Sequence, residues 1–141
     1  MSSFWSGKNV LITGCNRGIG LSLALDIAGK GGKIIAAVRA TSPELDAVAS
    51  QVVAGIDVTD DECGNKLAAG VDGNVDILIN NSGLLTVEKL SMEADMDMAA
   101  MRAQFEVNTL GESKAPYIHT HLPVVDPPYY TRAKPHAHAH V

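Results

Sequence analysis

The sequence lacks the features that mark membrane-spanning, exported or nucleic-acid-binding proteins. No apolar run is long enough to cross a bilayer, and residues 1–8 show no basic segment followed by an apolar one. The 11 Lys and Arg form no cluster among 16 Asp and Glu, and the formal net charge is −5. We therefore expect a cytoplasmic protein with neither nucleic acid nor a membrane as its partner.

Cysteine is scarce, and a metal ligand set is missing. Cys15 and Cys63 are far apart in the chain, which fits a reducing compartment better than a disulfide framework. Cys15 is interpreted as a small loop residue, although a thiol near a helix start can be oxidisable. All five histidines lie within residues 119–140, without a cluster of cysteines or carboxylates. We predict no bound metal and interpret the histidines as part of a polar tail.

Short apolar runs alternate with helical patterns from residue 9 to about residue 110. This alternation predicts a doubly wound α/β fold with a parallel sheet, right-handed crossovers and helices on both faces. The predicted strands, which are short and apolar, are 9–13, 33–38, 52–56 and 75–79. The predicted helices are 18–30, one that starts at Ser42, one that starts at Thr59, and 91–110.

The character of the chain changes after Gly111. Residues 112–141 contain five of the six prolines and all the histidines, and the periodicity fades. We predict an α/β unit at 1–111 and an atypical Pro/His-rich segment at 112–141 that is partly disordered. The sheet is then truncated after its fourth strand and the following helix. A frameshift, an alternative splice end or an unusual gene model would explain the truncation. A transcript with an intact reading frame that ends at Val141 would contradict the hypothesis that residues 112–141 are an artefact.

A glycine-rich loop at residues 13–20 joins the first strand to the first helix. Gly14 suits a tight turn, Gly18 lets a pyrophosphate approach the backbone, and Gly20 favours packing of the helix onto the strand. The helix start offers free N–H groups and the positive end of the helix dipole. The loop, including Asn16, Arg17 and Ile19, is therefore a predicted phosphate site; a purely structural turn is the alternative.

Four motifs in order resemble those of the short-chain dehydrogenase/reductase family. They are Thr-Gly-x-x-x-Gly-Ile-Gly at 13–20, Asp57-Val58 after the third strand, Asn80-Asn81-Ser82-Gly83 after the fourth, and Asn108 in the last helix. The third motif has Ser where the family has Ala. The resemblance covers residues 8–111, and the Asn-Arg-Gly-Ile-Gly and Ala-Ala-Val-Arg segments resemble the carbonyl-reductase branch.

The resemblance implies that residues 1–111 form a Rossmann-type dinucleotide-binding unit, with hydride transfer between a nicotinamide cofactor and a carbonyl or alcohol substrate. It implies that Asp57 and Val58 contact adenine, although Asp57 also suits a turn cap. It implies a cofactor-binding role for the 80–83 motif, through Asn81, Ser82 and Gly83. Asn108 is implied to support the proton relay of the active site.

The end of the second strand indicates which nicotinamide cofactor is bound. An acidic residue about 20 positions after the glycine loop would accept hydrogen bonds from the ribose 2′-hydroxyl of NAD. The strand ends instead at Arg39, and a guanidinium is a bidentate partner for a 2′-phosphate. Arg17 adds a second positive charge, and in the family basic residues at both places accompany NADP(H). We predict NADP(H) in preference to NAD(H); the alternative is that Arg39 is a solvated strand-end residue.

The catalytic residues that the resemblance implies are poorly matched. The family uses a Tyr, a Lys four residues later and a Ser, and Tyr130 and Lys134 have this spacing, which places both on one helix face. Tyr130 follows Asn108 by only 22 positions, too few for the family's intervening strand, and Pro135 disfavours a helix at Lys134. Ser113 follows Asn108 too closely to be the catalytic Ser. Tyr130 and Lys134 are therefore weak candidates.

These observations favour an NADP(H)-dependent oxidoreductase acting on a small carbonyl or alcohol. The alternative is a catalytically inactive nucleotide-binding module, or a truncated remnant without the Ser, Tyr and Lys. In the family, the helix that carries Asn108 commonly helps to form the oligomer interface. We therefore expect a homo-oligomer contact through the helix that ends near this residue.

Overall fold

The structure, a computed structural model, describes residues 3–86 and 97–114. Its strands are β1 (Asn9–Thr13), β2 (Lys33–Val38), β3 (Ala49–Ala54) and β4 (Ile77–Ile79). Its helices are α1 (Gly18–Gly29), α2 (Pro43–Asp46), α3 (Cys63–Gly70) and α4 (Met98–Phe105). A π-helical segment (Glu106–Gly111) and a last turn, α5 (Glu112–Lys114), continue directly from α4.

The four strands form one parallel sheet in the order β3-β2-β1-β4. Central strand β1 pairs on both sides, so that Val10 lies opposite Ile34 of β2 and Ile77 of β4. The predicted Rossmann-type, doubly wound fold is confirmed. Because all strands run the same way, their carboxyl ends meet at one edge of the sheet, where ligands bind in folds of this kind.

Alternate residues of the inner strands fill two separate cores. Val10 and Ile12 lie in the core on the α1 and α2 side, and Leu11 points to the opposite core on the α3 side. Each of these three side chains is fully buried. A sheet that is covered on both faces explains why its inner strands are almost continuously apolar in sequence.

Several boundaries differ from the sequence-based predictions. β3 begins at Ala49, ahead of the predicted run at 52–56, because an edge strand tolerates polar residues such as Gln51. The Gln51 amide donates to the carbonyl oxygen of Gly70 (2.7 Å), which ties this polar end of β3 to the end of α3. Gly55, with a φ of 77°, then turns the chain away from the sheet.

The helix predicted to start at Thr59 begins instead at Cys63. Side chains hold two successive turns ahead of it: Asp57 accepts from the Thr59 backbone N–H (2.9 Å), and Asp60 accepts from that of Glu62 (2.9 Å). Such side-chain bonds compete with helix formation. The Ser42 cap is confirmed, since its hydroxyl accepts from the Leu45 N–H (3.3 Å).

The last helix continues beyond its predicted end. The described part starts at Met98, capped by the Asp97 carboxylate, and runs through the π-helical segment to Lys114. Residues 91–96 and 115–141 lie outside the described residues, so the domain division at 111 stays a prediction. None of the helices within 3–86 and 97–114 has the length and apolar character needed to cross a membrane.

Candidate functional site

A cavity of about 850 Å³ opens at the carboxyl ends of the strands. Its wall is built from the glycine loop, the end of β2, the segment after β3, the segment after β4, and the last helix. Every residue predicted to contact the cofactor lines it: Gly14, Asn16, Arg17, Gly18, Ile19, Gly20, Arg39, Asp57, Val58, Asn81, Ser82 and Gly83. Asn108 lines it too. Parts of the chain that are distant in sequence therefore meet at one site, although the roles of these residues stay predictions.

The glycines of the loop serve different purposes. Gly14 (φ 63°) and Gly18 (φ 57°) both adopt the left-handed backbone conformation that other residues avoid. A Cβ atom on Gly18 would meet nothing within 4 Å, so this position opens onto free space. A Cβ on Gly20 would lie 2.6 Å from the carbonyl oxygen of Gly14 and would also strike the Asn81 amide. Gly20 therefore permits the close packing of α1 against the loop.

Thr13 joins the glycine loop to the segment after β4, a role that the sequence analysis missed. Its side chain is fully buried at the end of β1, and its hydroxyl oxygen accepts from the backbone N–H groups of Asn81 (2.9 Å) and Ser82 (3.0 Å). In return, the Asn81 amide donates to the carbonyl oxygens of Thr13 (3.0 Å) and Gly14 (3.1 Å). These four hydrogen bonds fix two walls of the cavity relative to each other.

Three charged residues of the cavity wall follow the carboxyl ends of β1, β2 and β3: Arg17, Arg39 and Asp57. Both arginines are exposed to solvent and line the cavity. Asp57 caps a turn, accepting from the Thr59 N–H (2.9 Å) and hydroxyl (2.8 Å). These bonds, with a contribution from Arg39, lower the pKa of the Asp57 carboxyl. The turn-cap interpretation of Asp57 is thus observed, and the same residue faces the cavity.

Asn108 lies in the π-helical segment, a rare helix form that often marks functional sites. Its side-chain oxygen accepts from the Leu84 backbone N–H (2.7 Å), and its amide donates to the Leu84 carbonyl oxygen (2.9 Å). The side chain therefore holds the segment after β4 against the last helix. Its predicted part in a proton relay stays a prediction.

The weaker candidates lie outside the cavity or outside the described residues. Tyr130 and Lys134 belong to 115–141 and stay predictions. The Ser113 hydroxyl donates to the Leu110 carbonyl oxygen (2.6 Å) within the helix, and Ser113 is not part of the cavity wall. Cys15 is fully buried, and burial raises the pKa of its thiol to about 11, as expected of a packing residue. Among residues 3–86 and 97–114, no three potential ligands group as a metal site.

The sequence analysis also missed Glu112, which it assigned to the atypical Pro/His-rich segment at 112–141. Glu112 lines the cavity, and the side-chain amide of Asn80 donates to its backbone carbonyl oxygen (3.2 Å). Both carboxylate oxygens are shielded from solvent and have no hydrogen-bond partner in the described part of the chain. Burial raises the pKa of this carboxyl to about 6. Only the continuation of the helix past Gly111 brings this side chain to the site.

Known proteins resemble this chain over most of its described length. The family described as short chain dehydrogenase matches residues 8–115. Human retinol dehydrogenase 8 is 34% identical over 115 residues, covering 74% of this chain and 36% of that protein. The L-rhamnose 1-dehydrogenase (NAD(P)(+)) of Azotobacter vinelandii is 34% identical over 91 residues, covering 55% of this chain and 36% of that protein.

The likeness extends to solved structures. A short-chain type dehydrogenase/reductase from Mycobacterium marinum superposes with a TM-score of 0.63 at 27% identity, covering 81% of this chain and 49% of the other. The chain spans only about a third of the length of the two curated relatives described above. The likeness therefore concerns only part of those proteins, and in this chain it includes the parallel sheet and the cavity wall.

Proposed function

The chain belongs to the short-chain dehydrogenase family, and on that premise we propose that it forms the NADP(H)-binding part of an oxidoreductase. The reaction is hydride transfer between the nicotinamide cofactor and a small carbonyl or alcohol substrate. The observation that carries the proposal is the single cavity in which the glycine loop, Arg39, Asp57 and the segment after β4 meet. A cavity at this edge of a doubly wound sheet is where such folds bind dinucleotides.

The glycine loop fits a pyrophosphate. α1 begins at Gly18, and its N-cap residue, Arg17, makes no side-chain capping bond within the described residues. The first N–H groups of the helix are therefore available to an anion, and the helix dipole favours negative charge there. The open space above Gly18 leaves room for the phosphates beside the backbone.

The two arginines support a preference for NADP(H). Arg39 is the first residue beyond β2, where NAD-binding relatives of this fold place a carboxylate for the ribose hydroxyls. A guanidinium at this position would instead bind a 2′-phosphate through charge-assisted hydrogen bonds. Arg17 faces the same cavity and adds positive charge.

A nicotinamide cofactor held in this cavity would supply the hydride chemistry, and the residues of the chain would position it. In this proposal Asn108 holds the segment after β4 so that the wall formed by Asn81, Ser82 and Gly83 stays in place. Tyr130 and Lys134 remain the candidates for proton transfer to the substrate. Retinol and L-rhamnose, named for two relatives, differ greatly in polarity, so the proposed substrate is stated only as a carbonyl or alcohol.

A homo-oligomer contact through α4 is also part of the proposal. Met98 is 50% exposed and Phe105 is 57% exposed, and Met101 lies between them on the same helix. Exposed apolar side chains grouped on one helix support an interaction surface. The cytoplasmic location stays a prediction.

The alternative is a nucleotide-binding module without catalytic activity. It is favoured by the spacing in the sequence, since Tyr130 follows Asn108 by only 22 positions, fewer than the family has between its helix Asn and its Tyr. Cofactor binding without turnover on a panel of carbonyls and alcohols would establish it. Folded protein that binds no cofactor would instead indicate a remnant that keeps only the family's fold.

Titration with NADPH and NADH, followed by nicotinamide fluorescence, tests the proposal on protein shown to be folded by circular dichroism. We expect NADPH to bind much more tightly than NADH. Arg39→Asp should weaken NADPH binding about a hundredfold, because a charge-assisted bond is lost and a repulsion is added, and should change NADH binding little.

Lys33→Asp is the matched control for the Arg39 variant. It makes the same change of charge at the other end of β2, where the exposed side chain is not part of the cavity. We expect it to leave the ratio of the two affinities unchanged. Equal affinities for NADPH and NADH in the unaltered chain would refute the NADP(H) preference.

A further inference from the structure

The last turn, α5, carries a lysine whose side chain reaches another segment of the molecule. The Lys114 ammonium donates to the Thr59 carbonyl oxygen (3.0 Å) and forms ion pairs with Asp61 (3.0 Å) and Glu106 (3.3 Å). An ammonium has three N–H donors, so it can serve all three oxygens at once. The Lys114 side chain is only 19% exposed. This network differs from an isolated pair on the surface, which contributes little to stability.

Lys114 connects the last helix to the segment after β3. Two of its acceptors, Thr59 and Asp61, belong to that segment, and the third lies on the continuous helix that carries Lys114 itself. Close to it, Gly111 packs against Val58, since a Cβ on Gly111 would be 2.9 Å from the Val58 side chain. The helix end is therefore fastened to the segment after β3 at two points.

Thr59 passes this connection on to a residue of the cavity wall. Its backbone N–H and its hydroxyl both donate to one carboxylate oxygen of Asp57, at 2.9 and 2.8 Å. Its carbonyl oxygen accepts from Lys114, so all three polar groups of Thr59 are engaged. Asp57 lines the cavity, whereas neither Thr59 nor Lys114 does. A displacement of Thr59 would therefore move the Asp57 carboxylate.

The charges of this segment make the connection necessary. Three carboxylates, those of Asp57, Asp60 and Asp61, lie within five positions and repel one another. Lys66 pairs with Asp60 from α3, the helix that follows directly, and Lys114 pairs with Asp61 from the last helix. Of the two lysines, only Lys114 ties the acidic segment to a distant part of the chain.

We infer that Lys114 is a positioning residue for nucleotide binding, which fixes the Asp57 carboxylate in the cavity wall by holding Thr59. The inference rests on the proposed function, because it takes the ligand of this cavity to be the dinucleotide. A wall that is ordered beforehand loses less conformational entropy when a ligand binds. If only a fraction of the molecules has the ordered wall, the apparent affinity falls by that fraction.

The test measures the NADPH affinity of Lys114→Met by nicotinamide fluorescence, on protein shown to be folded by circular dichroism. We expect binding about tenfold weaker than in the unaltered chain, although no group of the cavity wall is removed. Lys114→Arg should restore most of the affinity, since a guanidinium is also a cation with several N–H donors. Rescue by the conservative variant separates a role of the ammonium from one of the alkyl chain.

A second measurement needs no cofactor. The Thr59 N–H, the Thr59 hydroxyl and, to a smaller extent, Arg39 lower the pKa of Asp57. In Lys114→Met this pKa, followed by carbon NMR of the carboxyl group, should rise towards its ordinary value, because the bonds from Thr59 weaken. A purely structural role of Lys114 elsewhere in the fold would leave it unchanged.

Lys66→Met is the matched control. It removes the same charge beside the same acidic segment, since both lysines act on the carboxyl of Asp60, and Lys66 lies outside the cavity wall. It should change the NADPH affinity by less than about twofold. It should also leave the pKa of Asp57 below its ordinary value.

Thr59→Ala is the second variant if Lys114→Met does not fold. It removes one of the two bonds to Asp57 and should weaken NADPH binding and raise the pKa of Asp57 in the same way. Because Lys114 acts through Thr59, the double variant should lose less affinity than the two separate losses together predict. Fully additive losses would contradict this route.

The outcomes separate the two proposals. If NADPH binds the unaltered chain and Lys114→Met equally well, the role of Lys114 is refuted and the proposed function stands. A loss that Lys66→Met reproduces, or an unchanged pKa of Asp57 in Lys114→Met, also overturns the inference alone. If the folded, unaltered chain binds no NADPH, both proposals are refuted.

Discussion

The two halves of the described structure are stabilised in different ways. In residues 8–71, β1 is buried from Val10 to Thr13, and α1 and α3 each bury side chains against the sheet. In residues 77–114, every residue of β4 is only half-buried, and α4 has no buried residue at all. Both cores consist of buried residues of the first half, and the described residues of the second half add only partly buried apolar side chains to them.

Specific hydrogen bonds connect the segments of the second half to the end of β1 and to one another. Asn81 is bound to Thr13, Asn108 to Leu84, and Asn80 to Glu112. Each of these bonds joins two segments that form the wall of the cavity. The comparison teaches that apolar packing maintains the fold, whereas amide and hydroxyl groups assemble the site.

The largest effect is expected from truncating a core residue of the first half. Leu11→Ala should lower the free energy of unfolding by about 3 kcal/mol, since it removes a fully buried side chain and leaves a cavity. Leu78→Ala, its matched control on neighbouring β4, should cost about 1 kcal/mol because that side chain is half-buried. Urea denaturation measures both, and equal losses would break the comparison.

A smaller effect on stability, but a clear effect on binding, is expected at Thr13. Thr13→Val keeps the shape and removes the acceptor for the N–H groups of Asn81 and Ser82, which should cost about 2 kcal/mol. NADPH affinity should fall with it, because two cavity walls lose their connection. Thr41→Val, at an exposed hydroxyl outside the cavity, is the control. Unchanged NADPH affinity in Thr13→Val would contradict the division between fold and site.

The smallest effect is expected from Glu112, and it has the opposite sign. Its pKa, about 6 in the folded chain, is above the ordinary value of 4.5, so folding favours the protonated form. The carboxyl therefore destabilises the fold progressively as the pH rises from about 4.5 through 6. Without cofactor, Glu112→Gln should stabilise the chain by about 1 kcal/mol at pH 7, after allowance for solvent screening.

The same variant should show almost no stabilisation at pH 4, where the carboxyl of the original chain is already protonated in both states. Asp57 and Asp60, whose pKa values are lowered, lose stabilising bonds in acid, but equally in both proteins. The difference between two thermal unfolding series across pH 4–8 therefore isolates Glu112. A difference that stays constant across this range would refute the assignment.

The strands and the glycine-rich loop could be predicted from the sequence because their signals are local. Apolar runs gave β1 and β2 their correct bounds, and the glycine spacing located the loop between β1 and α1. The start of β3 was missed because an edge strand exposes polar residues such as Gln51. The start of α3 was missed because side-chain bonds from Asp57 delay the helix.

The remaining site residues depend on contacts between distant parts of the chain. Nothing near Thr13 in the sequence reveals that its hydroxyl serves two N–H groups beyond β4. Glu112 stands among residues whose composition suggested a tail, and only the continuing helix and the packing of Gly111 on Val58 bring it to the cavity. Such partners are fixed by tertiary packing, which local patterns do not encode.

The bond between Thr13 and the segment after β4 also has a consequence for synthesis on the ribosome. The hydroxyl acceptor and its two N–H donors are separated by 68 and 69 positions in the chain. The glycine loop and α1 therefore emerge long before the groups that complete the cavity. Since domains begin to fold from the amino terminus during translation, the cavity stays incomplete in the nascent chain until Ser82 has left the exit tunnel.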